Sequence, residues 1–165
     1  MKKIFCLLLF VVSFIAVMAQ SKKQQEEKPI LEQRVDSLQH ELAFLKAEYE
    51  LDQFNSEIYI KACNVDTRTN SIDLNRVRRI FDSNLAVAYQ SYYEAIEGLA
   101  ETFKKRADSL KLLIVLQLMQ YSFSDSETEL LKSKIKTLDL ELNSLDKNLD
   151  LYKTSLDEYK KRCLE

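Results

Sequence analysis

The chain has 165 residues but only one glycine and one proline, which excludes turn-rich and β-rich folds, because those folds need many more of both. Charged side chains of both signs make up 30% of the chain, as expected for solvated helix faces. Without residues 1–19, which carry two lysines and no acid, 22 basic and 26 acidic side chains remain, a net charge of −4. A mildly acidic protein is a poor binder of nucleic acid.

Residues 1–19 have the features of a bacterial secretory signal peptide. Lys2 and Lys3 precede an uncharged apolar run, and small residues stand three and one positions before Gln20. We therefore expect cleavage after Ala19 and export to the periplasm or the exterior. The alternative is an uncleaved membrane anchor, since the run is only just shorter than the ~20 residues that span a bilayer.

The first predicted helix, about residues 29–63, carries two apolar rows. Residues 20–28 before it contain no apolar side chain and are predicted to be a disordered leader, and Pro29 suits the first helical turn. The first row is Leu31, Val35, Leu38, Leu42, Leu45 and Tyr49, and the second is Phe44, Ala47, Leu51, Phe54, Ile58, Ala62 and Val65. The rows lie roughly 100° to 150° apart around the helix, so its neighbours are predicted to change along its length.

The first connection is predicted at residues 64–71, which are polar and rich in turn formers. Asn70 or Ser71 would cap a second helix of about residues 71–121. Gly98 lies in the middle of this helix, where it favours a close helix crossing or a slight kink.

A third helix, about residues 126–163, follows a second connection at residues 122–126. It begins with a capping box formed by Ser124 and Glu127 or by Ser126 and Glu129. Its apolar seam alternates spacings of four and three residues and consists of Leu131, Ile135, Leu138, Leu142, Leu145, Leu149, Tyr152, Leu156, Tyr159 and Cys163. Such a seam makes one helix wind along another. We therefore predict a single all-α domain over residues 29–165, an elongated antiparallel helical hairpin or three-helix bundle with coiled-coil seams.

The run from Leu110 to Met119 is apolar on nearly every face, which predicts burial on all sides. With the predicted helix lengths it extends past the first helix and is covered only by the third, so we expect an interface there. The candidate interface residues are Leu110, Leu112, Leu113, Ile114, Val115, Leu116, Leu118 and Met119. The alternative is that the second helix bends near residues 104–109 and packs this run internally, as a fourth helix.

No motif predicts catalysis, a metal site or a cofactor. His40 is the only histidine and falls at an outward position, which favours a surface residue over a ligand or base. Cys63 and Cys163 are a candidate disulfide in an oxidising compartment. The predicted lengths separate them by roughly 20 Å along the helices, whereas a bridge needs Cα atoms within about 7 Å. An internal bridge, an intermolecular bridge and free thiols all remain open.

The composition and seams predict a non-enzymatic, exported coiled-coil protein that acts as an envelope or periplasmic scaffold or as a self-associating interaction module. The expected partner is protein, either a second copy in a homo-oligomer or another envelope protein. We expect no nucleic acid, and contact with a membrane only through an uncleaved N-terminal segment.

The alternative function is that of a periplasmic holdase chaperone with helical arms. A signal peptide followed by some 140 helical residues resembles, in size and helicity, the outer-membrane-protein chaperones of the OmpH and Skp type. The resemblance implies that helical arms hold unfolded clients. Those proteins also have a small β-sheet body and a basic surface, for which this sequence has no pattern, so no residue role is carried over.

Overall fold

The computed structural model describes the backbone of residues 2–165 and the side chains of residues 28–165. It contains three helices, α1 (Lys2–Val77), α2 (Ser83–Gln120) and α3 (Asp125–Leu164), and residues 2–165 contain no strand. The predicted all-α three-helix bundle is confirmed. The chain forms two units, Met1–Ala43 and Phe44–Glu165. The second unit contains the last part of α1 together with α2 and α3.

Within the second unit, α2 runs antiparallel to α1. The Arg106 guanidinium binds the Glu57 carboxylate at 2.9 Å, and the Asn75 amide donates to the Tyr89 hydroxyl at 2.9 Å. Residue numbers therefore rise along one helix as they fall along the other. This is the arrangement expected for sequential helices joined by a short connection.

The helices α1 and α3 run parallel, with α2 antiparallel to both. The Asn55 amide donates to the Lys134 carbonyl at 3.2 Å, and the Asn148 amide donates to the Ala62 carbonyl at 2.9 Å. These two bonds set the register, because each joins a polar side chain to a backbone carbonyl of the neighbouring helix.

The core of the second unit is built on α1 by the second of the two predicted apolar rows. Six members of that row are buried, and Phe44 is partly buried; the six are Ala47, Leu51, Phe54, Ile58, Ala62 and Val65. Thr69 and Ile72, which lie beyond the predicted row, are buried as well. Leu45 and Tyr49, which belong to the first row, are 51% and 66% exposed. In this unit, then, the α1 face that carries the second row packs against the other helices and the other face is left to solvent.

The α3 seam packs as the sequence predicts. Seven of its ten residues are buried, and the remaining three, Ile135, Leu142 and Cys163, are partly buried against the core. A seam with this spacing keeps one stripe of α3 facing its neighbours over the whole helix.

The first connection is not at residues 64–71, as predicted, but at residues 78–82, because α1 continues to Val77. Val65, Thr69 and Ile72 continue the core row with alternating spacing, and all three are buried. The Thr69 hydroxyl donates to the Val65 carbonyl at 2.9 Å. Burial of this row and local satisfaction of the hydroxyl outweigh the turn preference of the sequence.

The end of α1 is a Schellman motif, and Asp82, two residues after the motif ends at Ile80, caps α2. The Ile80 amide donates to the Asn75 carbonyl at 2.9 Å, and Arg79 has a left-handed φ of 58°. Asp82 then accepts from the amides of Asn84 and Leu85 at 2.7 and 3.4 Å. The sequence did not reveal this end, because the left-handed position usually holds glycine and here holds arginine.

The second connection, residues 121–124, agrees closely with the prediction. Of the two predicted capping boxes, the one formed by Ser124 and Glu127 is present. No helix crosses closely at Gly98, in contrast to one of the two predictions for this residue: a Cβ atom added there would meet no atom within 4 Å. Helix α2 is continuous from Ser83 to Gln120 and includes no separate fourth helix.

The predicted signal peptide, residues 1–19, lies outside the residues whose side chains are described, and its cleavage stays a prediction. The backbone of residues 20–28 is part of α1, where the sequence predicts a disordered leader. Glutamine, glutamate and lysine fill most of this stretch and are good helix formers, so a helical backbone agrees with local propensity. Pro29 accordingly lies inside α1 and not in its first turn.

Candidate interaction surface

The run from Leu110 to Met119 is divided between the core and the surface. Leu110 and Ile114 are buried, and Leu118 is partly buried against the core. The other candidate interface residues are exposed: Leu112, Leu113, Val115, Leu116 and Met119. One side of α2 therefore anchors the run, and the rest of it forms an apolar surface that the helices of the second unit do not cover.

The register explains this division. The sequence predicts that the run extends past the first helix, but α1 ends later than predicted and lies beside more of α2. The Phe54 and Phe103 rings meet edge to face at a centroid distance of 5.6 Å, and the Phe44 and Phe123 rings at 6.0 Å. Since Phe123 follows the end of α2, α1 covers one side of the whole run.

A groove of about 600 Å³ lies between α1 and α2 beside the apolar run. Tyr49, Leu110 and Leu113 contribute apolar walls, and Lys46, Glu50 and Arg106 place charges of both signs there. The Arg106 guanidinium also lies 4.2 Å from the centre of the Phe54 ring, which fixes its position. A groove with apolar walls and charges of both signs beside them suits a peptide segment with apolar side chains better than a small polar substrate.

The other end of the bundle is closed by an aromatic cluster formed by Phe81, Tyr89, Tyr92, Tyr93, Tyr152 and Tyr159. The Tyr159 hydroxyl accepts from the Asp82 amide at 3.0 Å, which ties the first connection to α3. The Tyr93 hydroxyl donates to Glu97 at 2.7 Å, and this bond, helped by burial, raises the pKa of Tyr93 to about 12. The rings of the cluster contact one another within the bundle, which favours packing over ligand stacking as its role.

Two interhelical ion clusters hold α3 against its neighbours. Lys134 binds Asp52 at 2.5 Å and Glu48 at 3.4 Å; burial lowers the pKa of Lys134, but the bonds to these acids raise it by more, so the net direction is upward. Lys104 binds Glu101 and Asp146 at 3.0 and 3.1 Å, and these bonds raise the pKa of Lys104. Each lysine is paired with acidic side chains and at least one of them lies on a neighbouring helix, which is a structural arrangement.

Cys63 and Cys163 are free thiols, the first exposed and the second partly buried. Cys63 follows Ala62, whose carbonyl accepts from Asn148, and Cys163 lies fifteen residues beyond Asn148 on α3. At 1.5 Å per residue this offset is roughly 22 Å, too far for a bridge within the bundle. A hydrogen bond to Cys63 raises the pKa of Tyr59.

The described residues bring together no catalytic or metal-binding constellation. His40 is partly buried in the first unit, whereas the sequence predicted an outward position. No group of three or more histidine, cysteine, aspartate or glutamate side chains in the described part of the chain is arranged to hold a metal ion. Within residues 28–165, no helix has a stretch that is both long and apolar enough to cross a membrane.

The first apolar row of α1 is exposed, although its spacing predicted that it packs against another helix. In the first unit Leu31, Val35, Leu38 and Leu42 are all at least half exposed. Their regular spacing predicted packing inside the chain, but no described helix covers them in that unit. The sequence already indicated this outcome, because α1 carries two apolar rows and the bundle of the second unit buries only one of them.

Comparisons with models of protein families, with curated proteins and with solved structures find no match to this chain.

Proposed function

We propose that this protein is a non-enzymatic, exported helical interaction module of the bacterial envelope, which acts as a scaffold by binding itself or another envelope protein. The predicted signal peptide supports export. The interhelical ion pairs and the packed aromatic side chains of the second unit support a structural role. The second unit is a bundle whose polar contacts fix the helices in register, which gives a rigid support for a binding face.

The observation that carries the proposal is the exposed apolar face on α2. Ile114 is fully buried, whereas Leu112, Leu116 and Met119 on the same helix are 62%, 54% and 80% exposed. Burial of an exposed leucine at an interface stabilises a complex by about 1.5–3 kcal/mol. A contiguous apolar surface of this kind on a soluble domain marks a site of protein contact.

Light scattering over a range of concentrations, with and without Leu116→Glu, tests the proposal on residues 20–165, the predicted mature form. We expect the wild type to form a discrete oligomer or to bind an envelope partner in cross-linking, and Leu116→Glu to weaken that association without unfolding the bundle. Leu151→Glu on α3 is the matched control, because Leu151 is 58% exposed and lies outside the α2 run. Equal association of both variants and the wild type would contradict a role for the α2 face.

A holdase chaperone is the second candidate function, and the groove between α1 and α2 favours it. Tyr49, Leu113 and the exposed apolar residues of α2 offer a surface for an unfolded client. A hydrophobic dye distinguishes the two functions. In a scaffold, assembly seals the apolar surface, and dye binding falls as the oligomer forms. In a holdase, the surface stays open, dye binding persists at every concentration, and an unfolded client competes for it.

A further inference from the structure

The first unit presents an exposed coiled-coil seam. Leu31, Val35, Leu38 and Leu42 follow one another at spacings of four, three and four residues and are 60%, 50%, 57% and 67% exposed. This is the alternation of a and d positions in a heptad repeat, with Leu31 and Leu38 at d. Helices of soluble proteins bury such a seam against another helix.

The part of α1 that belongs to the second unit carries the last two residues of the same row. Leu45 and Tyr49 continue the heptad spacing in the sequence, and both are exposed. The buried residues Ala47 and Leu51 point the opposite way, into the bundle. The packing of α2 and α3 in the second unit therefore buries neither Leu45 nor Tyr49 and leaves both accessible to another chain.

The charges beside the seam complement those of a second copy. In a two-stranded antiparallel pairing that sets Leu31 against Leu42 and Val35 against Leu38, Arg34 of one chain faces Glu41 of the other, and the two-fold axis forms this pair twice. In a parallel pairing, Glu41 of one chain instead faces Lys46 of the other, also twice. Within residues 28–49 neither of these two pairings sets like charges against each other.

We propose that the α1 seam, Leu31, Val35, Leu38 and Leu42, is a self-association site whose occupant is the same seam of a second copy of this chain. This inference rests on the proposed function and names its partner and surface. It differs from the sequence prediction, which assigned self-association to the apolar run of α2. Self-association through α1 does not require the α2 face, which the inference assigns to a different protein.

The test is the solution mass of the full chain, expressed in a host that exports it, as a function of concentration. We expect Leu38→Glu to convert a dimer into a monomer with unchanged helix content, because a glutamate at a d position would be buried without a partner. Ile30→Glu is the matched control: Ile30 is 64% exposed but lies off the seam, so the dimer should persist. A dimer that survives Leu38→Glu overturns the inference.

Charge reversal supplies a second test that does not depend on removing an apolar side chain. Glu41→Arg should raise the dissociation constant of the dimer about tenfold, because two attractive ion pairs become repulsive. Adding Arg34→Glu should restore an antiparallel dimer, whereas adding Lys46→Glu should restore a parallel one. Restoration by neither double variant would overturn the pairing.

The outcomes separate this inference from the proposed function. If Leu116→Glu dissociates the oligomer and Leu38→Glu does not, the interaction module stands and the α1 seam is not its interface. If Leu38→Glu alone dissociates it, the α1 seam is the self-association site. A wild type that stays monomeric at every concentration overturns self-association through either surface.

Discussion

The phenol of Tyr152 on α3 donates a hydrogen bond of 2.9 Å to the backbone carbonyl of Tyr89 on α2, and both side chains are buried. The Tyr93 ring stacks on the Tyr152 ring at a centroid distance of 6.2 Å and an interplanar angle of 14°. The Tyr89 ring meets Tyr159 edge to face at 5.6 Å. These contacts fix the register between α2 and α3 at the end of the bundle that contains the connection from α1 to α2.

Tyr152→Phe should lower the free energy of unfolding by about 1 kcal/mol, the net value of a typical hydrogen bond, while the ring contacts stay in place. Urea denaturation followed by circular dichroism measures this change. Tyr49→Phe is the matched control, because Tyr49 is 66% exposed and its replacement should leave the midpoint unchanged. Equal effects of the two replacements would show that the Tyr152 hydroxyl contributes nothing specific.

Stability should fall as the pH rises above 10. Burial raises the pKa of Tyr152 above its ordinary value of 10.0, so in this range the unfolded chain loses the phenolic proton while the folded chain keeps it. The unfolded state then binds fewer protons, and the free energy of unfolding falls with pH, by up to about 1.4 kcal/mol per pH unit for one such group. Below pH 10 this contribution is fully present.

Denaturation of the wild type and of Tyr152→Phe at pH 8, 10 and 11 checks the alkaline prediction. The variant lacks the titrating phenol, so its stability should depend less steeply on pH than that of the wild type. Parallel curves for the two proteins would assign the alkaline loss to other groups, such as the paired lysines.

Gly98→Ala should stabilise the protein by about 0.5–1 kcal/mol. Gly98 is exposed in the middle of α2, and an added Cβ meets no atom within 4 Å, so the substitution gains helix propensity without a clash. Ala95→Gly, at another exposed position of α2, should cost a similar amount. Thermal unfolding of both variants measures the two shifts, and a destabilising Gly98→Ala would indicate a close contact at that face in solution.

Limited trypsin digestion should locate the first connection. Within residues 44–165, the first cut should fall after Arg78 or Arg79, since these residues lie in the connection after α1. Arg68 is also exposed but lies inside the helix, where the backbone is protected. Intact masses of the fragments identify the site, and an earlier cut after Arg68 would favour the connection that the sequence predicts.

Several features of the fold followed from local patterns alone. The ten-residue α3 seam has no competing row, so its spacing predicted which side of α3 is buried. The Ser124–Glu127 capping box forms between residues three apart, so the start of α3 was also readable. The scarcity of glycine and proline excluded other fold classes before any helix was placed.

Part of the candidate interaction surface could also be predicted from the sequence. The sequence identified the run from Leu110 to Met119 as apolar on all faces, but not which members are buried. That depends on the position of α1, and α1 ends at Val77, beyond the predicted connection. Because α1 lies beside more of α2 than the sequence predicted, Leu110 and Ile114 are buried, while Leu116 and Met119 stay exposed.

Local sequence patterns are enough to predict the helical class, the α3 seam and the two apolar rows on α1. Contacts between the helices are needed to show which of those rows packs inside the chain and where α1 ends. The reason is that both rows have helical spacing, and local pattern does not rank them. In the second unit, burial of Phe54, Ile58 and Val65 against α2 and α3 selects one row and carries the helix through the polar residues 64–71. Leu45 and Tyr49, which belong to the other row, stay exposed there.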